Sequence, residues 1–175
     1  MAKIIQIGDD RLRSVCEPIA FDELTSEETK KTLGAMTEAL NSRDDGVAIS
    51  APQIGVTKRI FAVSSKIFDE DYLAGKPQKT KYESIFFINP IITKKSKKME
   101  IAEEGCLSIP NIFGKVARHK NVTVEAINEK GEKVSRGAGG LLARIFQHEI
   151  DHLDGILFID KAVELKEISE EAQEE

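Results

Sequence analysis

Apolar positions along this chain follow two spacings, and the change from one to the other predicts its elements. Leu33, Met36 and Leu40 recur at helical intervals, and Thr25 with Glu28 forms a T-x-x-E capping pattern, so residues 25–42 are expected to be helical. Asp44-Asp45-Gly46 closes that helix. Residues 58–64 and 84–89 are short apolar runs of strand type, and Pro90 is expected to stop the second. Residues 69–83 between them are polar, contain Gly75 and Pro77, and read as a loop. Further short strands are expected around 91–93, 99–102, 114–119, 121–127 and 132–136. Val122, Val124 and Ala126 alternate with Thr123 and Glu125, the pattern of a half-buried strand. Asn128-Glu129-Lys130-Gly131 is the turn between the last two. A helix from about Leu141 to Leu153 follows Gly139-Gly140, and Gly155 stands where a C-terminal glycine cap belongs. From Glu164 the chain is acidic and reads as a short exposed helix or a frayed end. Strands dominate the middle and one long helix follows them, so the expected class is α+β, with antiparallel sheets packed around a central helix.

A chain of 175 residues is expected to form a single domain over 1–175 with a real core. The net charge of −5 argues against nucleic-acid or anionic-membrane partners. Lys94, Lys95, Lys97 and Lys98 cluster, but in hairpin-like sequence they read as a solvated edge. The N-terminal apolar stretch is too short and interrupted for a signal peptide, and no run is long enough to span a membrane. Cys16 and Cys106 are far apart and lack a C-x-x-C companion, which fits a reducing compartment such as the cytoplasm. Cys16 reads as a small core residue.

The candidate chemistry lies in the last helix, at Gln147-His148-Glu149-Ile150-Asp151-His152. In this H-E-x-x-H pattern the two imidazoles sit about 40° apart around the helix axis and roughly 6 Å along it, a spacing that grips one metal ion. Glu149, about 60° from His152, reaches a water at such an ion without being a ligand. The alternative is a pair of exposed helix histidines. Relative to His148, Leu141 falls at about 20° and Ile145 at about 60°, so apolar residues share the histidine face and a pocket with apolar walls is expected. A third ligand is needed, and Cys106 in Glu104-Gly105-Cys106-Leu107-Ser108 is the best candidate. Gly105 permits close backbone approach there, and three protein ligands leave a position open for water. The alternative for Cys106 is an inert buried thiol. A carboxylate beside a thiolate needs neutralising, which suggests Arg118 as the partner of Glu104. Asp151 is either a support for the site or an exposed helix carboxylate. Arg144 either rims the cleft or is solvated, and His119 has no assigned role.

The sequence resembles the bacterial-type peptide deformylases. Three motifs of that family occur in order: G-φ-G-φ-A-A-x-Q at Gly46–Gln53, E-G-C-L-S at Glu104–Ser108 and Q-H-E-φ-D-H at Gln147–His152. Asp10-Arg11-Leu12-Arg13 and Gly155-Ile156-Leu157-Phe158 extend the similarity over nearly the whole chain. The resemblance implies one divalent ion held by Cys106, His148 and His152, with Fe²⁺ in the cell and Zn²⁺ or Ni²⁺ in purified protein. It implies hydrolysis of the N-formyl group of formyl-methionyl nascent peptides, releasing formate. Glu149 is then general base and acid, and the Leu107 N–H and Gln53 side chain donate to the formyl oxygen. It assigns substrate contacts to Gly46, Val47, Ala48, Gly105, Leu141 and Ile145. A cytoplasmic monomer working near the ribosomal exit tunnel is expected. Two positions depart from the family pattern: Ala48 replaces its second glycine and Ser50 an alanine. The added methyl narrows the cleft or excludes a positive φ. Competing readings are an H-E-x-x-H peptidase, a non-catalytic peptide binder and an enzyme for another formamide. The first normally takes its third ligand from downstream, whereas E-G-C-L-S lies upstream.

Overall fold

Two antiparallel sheets meet on one helix in the computed structural model, which describes residues 3–75 and 81–168. Strands β1 (Ala48–Ser50), β2 (Ile60–Ser64), β3 (Ser84–Lys95), β6 (Asn121–Ile127) and β7 (Lys133–Gly139) form a sheet in the order β1-β2-β3-β6-β7. Strands β4 (Met99–Cys106), β5 (Ile109–His119) and β8 (Glu164–Glu167) form a second, in the order β4-β5-β8. Helix α1 (Glu27–Asn41) covers one face of the first sheet. Helix α3 (Gly140–Leu153) lies between its other face and β5. The class is therefore α+β.

The sequence of β2 shows why both helices are needed. All five of its residues are buried. Ile60 and Ala62 point to a cluster with Leu33, Met36 and Leu40 of α1, and Phe61 and Val63 to one with Ile145, Phe146 and Leu153 of α3. A strand covered on both faces loses the apolar–polar alternation and reads as a continuous run. Phe61 stacks on Phe87 with ring centroids 4.7 Å apart, and Phe146 meets Phe87 edge-on at 4.9 Å. Truncating a fully buried phenylalanine such as Phe146 costs about 3–5 kcal/mol. Cys16 is buried, and burial pushes its thiol up to about 11.

Several boundaries differ from expectation. The N-cap of α1 is Ser26, not Thr25: extended backbone at Ser26 places its Oγ 3.1 Å from the Thr29 N–H. Pro90 does not end a strand. It sits at a bulge in β3, where the register with β6 shifts between Ile88 and Ile91 and a missing donor is tolerated. Asn89 takes φ +50 there, and its side-chain amide bonds both the N–H and the carbonyl of Ile19 at 2.8 Å. The expected strand at 91–93 is therefore part of β3. The expected loop at 69–83 contains a helical turn, α2 (Glu70–Leu73), capped by Asp69 Oδ1. Residues 76–80 of that loop lie outside the described residues. The start of the acidic tail is a strand, not a helix or a frayed end. Glu164–Glu167 pairs with Lys115–Ile112 of β5, and Lys115 Nζ bonds Glu164 at 2.7 Å. Residues 169–175 lie outside the described residues.

Helix α3 ends in a Schellman arrangement. Gly155 has φ +72, its N–H bonds His152 O at 3.1 Å, and the Ile156 N–H bonds Asp151 O at 2.9 Å. A Cβ at Gly155 would stand 2.4 Å from Arg13 O. Both strain and a backbone clash therefore oppose Gly155→Ala. That substitution is expected to destabilise by about 1–3 kcal/mol or more. Urea unfolding measures it, and an unchanged midpoint would show that the N-terminal segment yields freely.

Candidate active site

Three elements converge at the H-E-x-x-H face of α3. The β4–β5 hairpin brings Cys106, the turn after β1 brings Gln53, and α3 itself carries His148, Glu149 and His152. One ligand atom each from Cys106, His148 and His152 lies within 4.8 Å of the others. Cys106 Sγ is 3.2 Å from His152 Nε2, and the imidazole centroids are 5.0 Å apart. Both histidines are buried, so they are not the exposed helix pair that composition alone allows.

Glu104 fixes the orientation of His148. Its Oε2 lies 2.9 Å from His148 Nδ1 and can only accept, so Nδ1 carries a hydrogen and Nε2 is the nitrogen that would serve an ion. Arg118 forks onto the same carboxylate with two bonds of 2.9 Å. Burial pushes the Glu104 carboxyl up, but the bonds from Arg118 and His148 prevail and hold it well below the ordinary carboxylate range. Arg118 also reaches Asp151, which accepts from Lys161 Nζ at 2.7 and 2.8 Å. Asp151 is thus tied into the support of the site.

Arg144 neither rims the cleft nor is solvated. It donates to Glu104 Oε1 at 2.8 Å, Val116 O at 2.9 Å and Glu100 O at 2.9 Å. Its place one turn before His148 was the available signal. Gln147, within the third motif, was also missed as a support. Its side chain accepts from the His119 N–H and donates to the carbonyls of His119 and Ala143, each at 2.9 Å, so it ties α3 to the end of β5.

Gln53 is 1% exposed and its amide is oriented by its neighbours. Oε1 accepts from the Ser50 N–H at 2.8 Å and from Ser50 Oγ at 3.0 Å. Nε2 donates to Ser108 Oγ at 3.1 Å and lies 3.4 Å from Cys106 Sγ. Ser50, a departure from the family pattern, therefore sits among the site's polar groups. Leu107 is the first turn residue of a hairpin in which Cys106 pairs with Ile109, so its N–H lies outside the ladder.

Glu149 is buried, and its Oε2 has no partner among the described residues. Burial pushes its carboxyl up to about 7, against the His148 charge and a hydrogen bond from Ser50. His148 goes the other way. Burial lowers it, but hydrogen bonds with Cys106 and Glu104 raise it to about 10. Burial and the neighbouring His148 charge push His152 well below the usual histidine range. A cysteine sulfur and two imidazoles are a donor set that suits a divalent cation such as zinc or ferrous iron. The donor set and the unpartnered carboxylate oxygen beside it fit a catalytic metal.

The expected substrate contacts divide. Gly46 and Val47 lead into β1, one of the two edge strands of its sheet. A Cβ at Gly46 would stand 3.3 Å from Leu107 Cδ1, so the hairpin packs against that lead-in. The φ of Ala48 is not positive, so the added methyl excludes nothing in the backbone. Its side chain joins the core cluster of Ile145 and Phe146. Gly105 is exposed on β4, also an edge strand, and a Cβ there would meet the Phe113 ring at 2.8 Å. Ile145 is buried but Leu141 is 52% exposed, so only one of the two forms an enclosed wall. Helical phase gives direction about the axis, not depth along it, and Leu141 lies in the first turn.

Known proteins resemble this chain in sequence and fold. The polypeptide deformylase family profile matches residues 1–167. The peptide deformylase of Halothermothrix orenii is 44% identical over 167 residues, covering 94% of this chain and 96% of its own. A Met-Ala-Ser-bound class I type b peptide deformylase from Acinetobacter baumannii superposes with TM-score 0.78 at 34% identity, covering 92% of this chain and 99% of its own. A peptide deformylase from Synechococcus elongatus in complex with actinonin gives 0.76 at 30% identity, covering 93% and 79%. Peptide deformylases are metalloenzymes, and this chain belongs to the polypeptide deformylase family.

Proposed function

We propose that this enzyme removes the formyl group from N-formyl-methionine at the start of nascent polypeptides, releasing formate and a free amine. The observation that carries this reading is the convergence of three ligand atoms, the unpartnered Glu149 oxygen and the Gln53 amide at one point. Cys106, His148 and His152 would hold the divalent ion, Fe²⁺ in the cell and Zn²⁺ or Ni²⁺ in purified protein. When bound, the ion supplies an acidified water and a Lewis acid for the formyl oxygen. Glu149 takes a proton from the attacking water and returns it to the leaving nitrogen as the C–N bond breaks. Gln53 Nε2–H and the Leu107 N–H donate to the formyl oxygen as it gains charge. Glu104, Arg118, Arg144 and Asp151 hold His148 in the orientation that leaves Nε2 available.

The peptide lies extended between the open edge at Gly46–Ala48 and the open edge at Gly105, adding as a strand. The Met-Ala-Ser-bound structure of the Acinetobacter neighbour supports methionine as the first residue of the peptide. Its side chain would face Val47, Ala48, Ile145 and Leu141. The reading includes one catalytic domain over 1–175, acting as a monomer in the cytoplasm near the ribosomal exit tunnel. The free thiols Cys16 and Cys106 fit a reducing compartment. Among the described residues, no helix is long and apolar enough to cross a membrane. Turnover of formyl-methionyl peptides by protein purified without air tests the proposal, and its absence in fully metallated protein would overturn it.

Three outcomes are expected. Cys106→Ala should lose ion and turnover together, because three protein ligands leave little redundancy. Stoichiometric metal with full turnover would remove Cys106 from the site. Glu149→Gln should keep the ion but lose turnover by about 10²–10⁴-fold. Near-normal rates would assign proton transfer elsewhere. Ala48→Gly should lower KM and change kcat by less, since contact with the methyl is the same in ground and transition states. A fall in kcat at constant KM would instead show that Ala48 helps place the catalytic groups.

A further inference from the structure

Lys66 is the least expected charge in the molecule. It is 3% exposed, in the short helical turn that follows β2. Its Nζ donates to Asp44 O at 3.1 Å and faces the rings of Tyr72 and Tyr82, each 5.7 Å away. Burial lowers its pKa below the ordinary lysine value, with Asp44 and Asp45 opposing. Among the described residues the ammonium has one hydrogen bond for three donors, with two aromatic faces and the Asp44 and Asp45 charges in its surroundings. Such a charge is costly to bury, and a hydrophobic side chain of similar volume usually serves stability as well or better.

Its partners suggest another role. Asp44 belongs to the turn at 43–46, which delivers the chain into Gly46, Val47 and β1. Tyr72 and Tyr82 belong to the excursion between β2 and β3. Tyr82 is itself fixed to the end of α1, its N–H and carbonyl each bonding the Asn41 side chain at 3.1 Å. The Ser64 N–H bonds Val47 O at 2.8 Å, so the lead-in is held from β2 as well. We propose that Lys66 is a positioning residue: its buried ammonium clamps the 43–46 turn to the tyrosines of the β2–β3 excursion and so sets the edge on which the peptide lies. This rests on the deformylase reading above. Among the described residues, the excursion, remote from the chemistry in sequence, reaches the 43–46 turn through this cation. The carbonyl of Asp44 is fixed two residues before Gly46, so a shift there moves the strand edge but not the metal ligands, which lie on β4 and α3. The defect on losing the clamp is therefore one of substrate binding.

The test compares metallated wild type with Lys66→Met, which keeps the stem and removes the charge. KM for a formyl-methionyl peptide should rise roughly tenfold, with kcat changed little, because the backbone that aligns the substrate is displaced. Thermal midpoint and metal content should not fall, and amides 44–48 should exchange hydrogen faster. Tyr72→Leu removes one ring and should shift KM the same way by less. If Lys66→Met does not fold, Tyr72→Leu decides alone. Unchanged KM and exchange overturn the proposal. So does a joint loss of kcat and midpoint, which marks Lys66 as merely structural. Should wild type itself fail to turn over the peptide, the deformylase reading falls, and the exchange rates still decide whether the clamp exists.

Discussion

One buried carboxylate decides how the second sheet meets the helix. Glu104 sits in β4 and accepts from Arg118 of β5 and from Arg144 and His148 of α3. An ionised carboxylate at that depth is tolerable only with all its partners present, and removing one costs about 3–5 kcal/mol. Few arrangements of β4, β5 and α3 satisfy it, and those that do bring Cys106, two residues further along β4, opposite His148. The same contact holds the hydrogen of His148 on Nδ1. Packing and ligand chemistry are therefore one constraint, and the ligand geometry is inherited from the docking of the sheet.

The other side of α3 supplies rigidity. Phe146, Ile150 and Leu153 lie in a core with Phe61, Phe87 and Val124, so the helix cannot rotate without unpacking the first sheet. That rigidity sustains features unfavourable on their own. Glu149 is buried with one carboxylate oxygen unpartnered among the described residues. The aromatic core fixes the helix that carries it.

Much of this was legible in the sequence because it depends on local spacing. Leu33, Met36 and Leu40 reported the buried face of α1, and Val122, Val124 and Ala126 that of β6. Gly155 marked the end of α3. Two histidines four apart on a helix and a glycine-flanked cysteine pointed to one location. What was not legible depends on contacts made at a distance. Pro90 looked like a strand breaker because the bulge that accommodates it is held by Ile19. Thr25 looked like the cap because it opens a T-x-x-E pattern, whereas the extended backbone at Ser26 gives the role to that residue instead. The acidic tail gave no hint of pairing, since its partner edge on β5 is a tertiary fact. Arg144 was ambiguous because phase cannot say that Glu104 faces it, and Leu141 because phase cannot say how far a helix projects beyond its sheet.

The brevity of β1 has a consequence for breadth of action. An edge of three residues offers another chain only one or two backbone hydrogen-bond pairs. A partner held that way would be bound there through main-chain atoms common to every polypeptide, with little reading of its side chains at this edge. The same shortness limits pairing between copies at this edge. An open edge of full length is a template for sheet growth between copies, and three residues are too few to nucleate it.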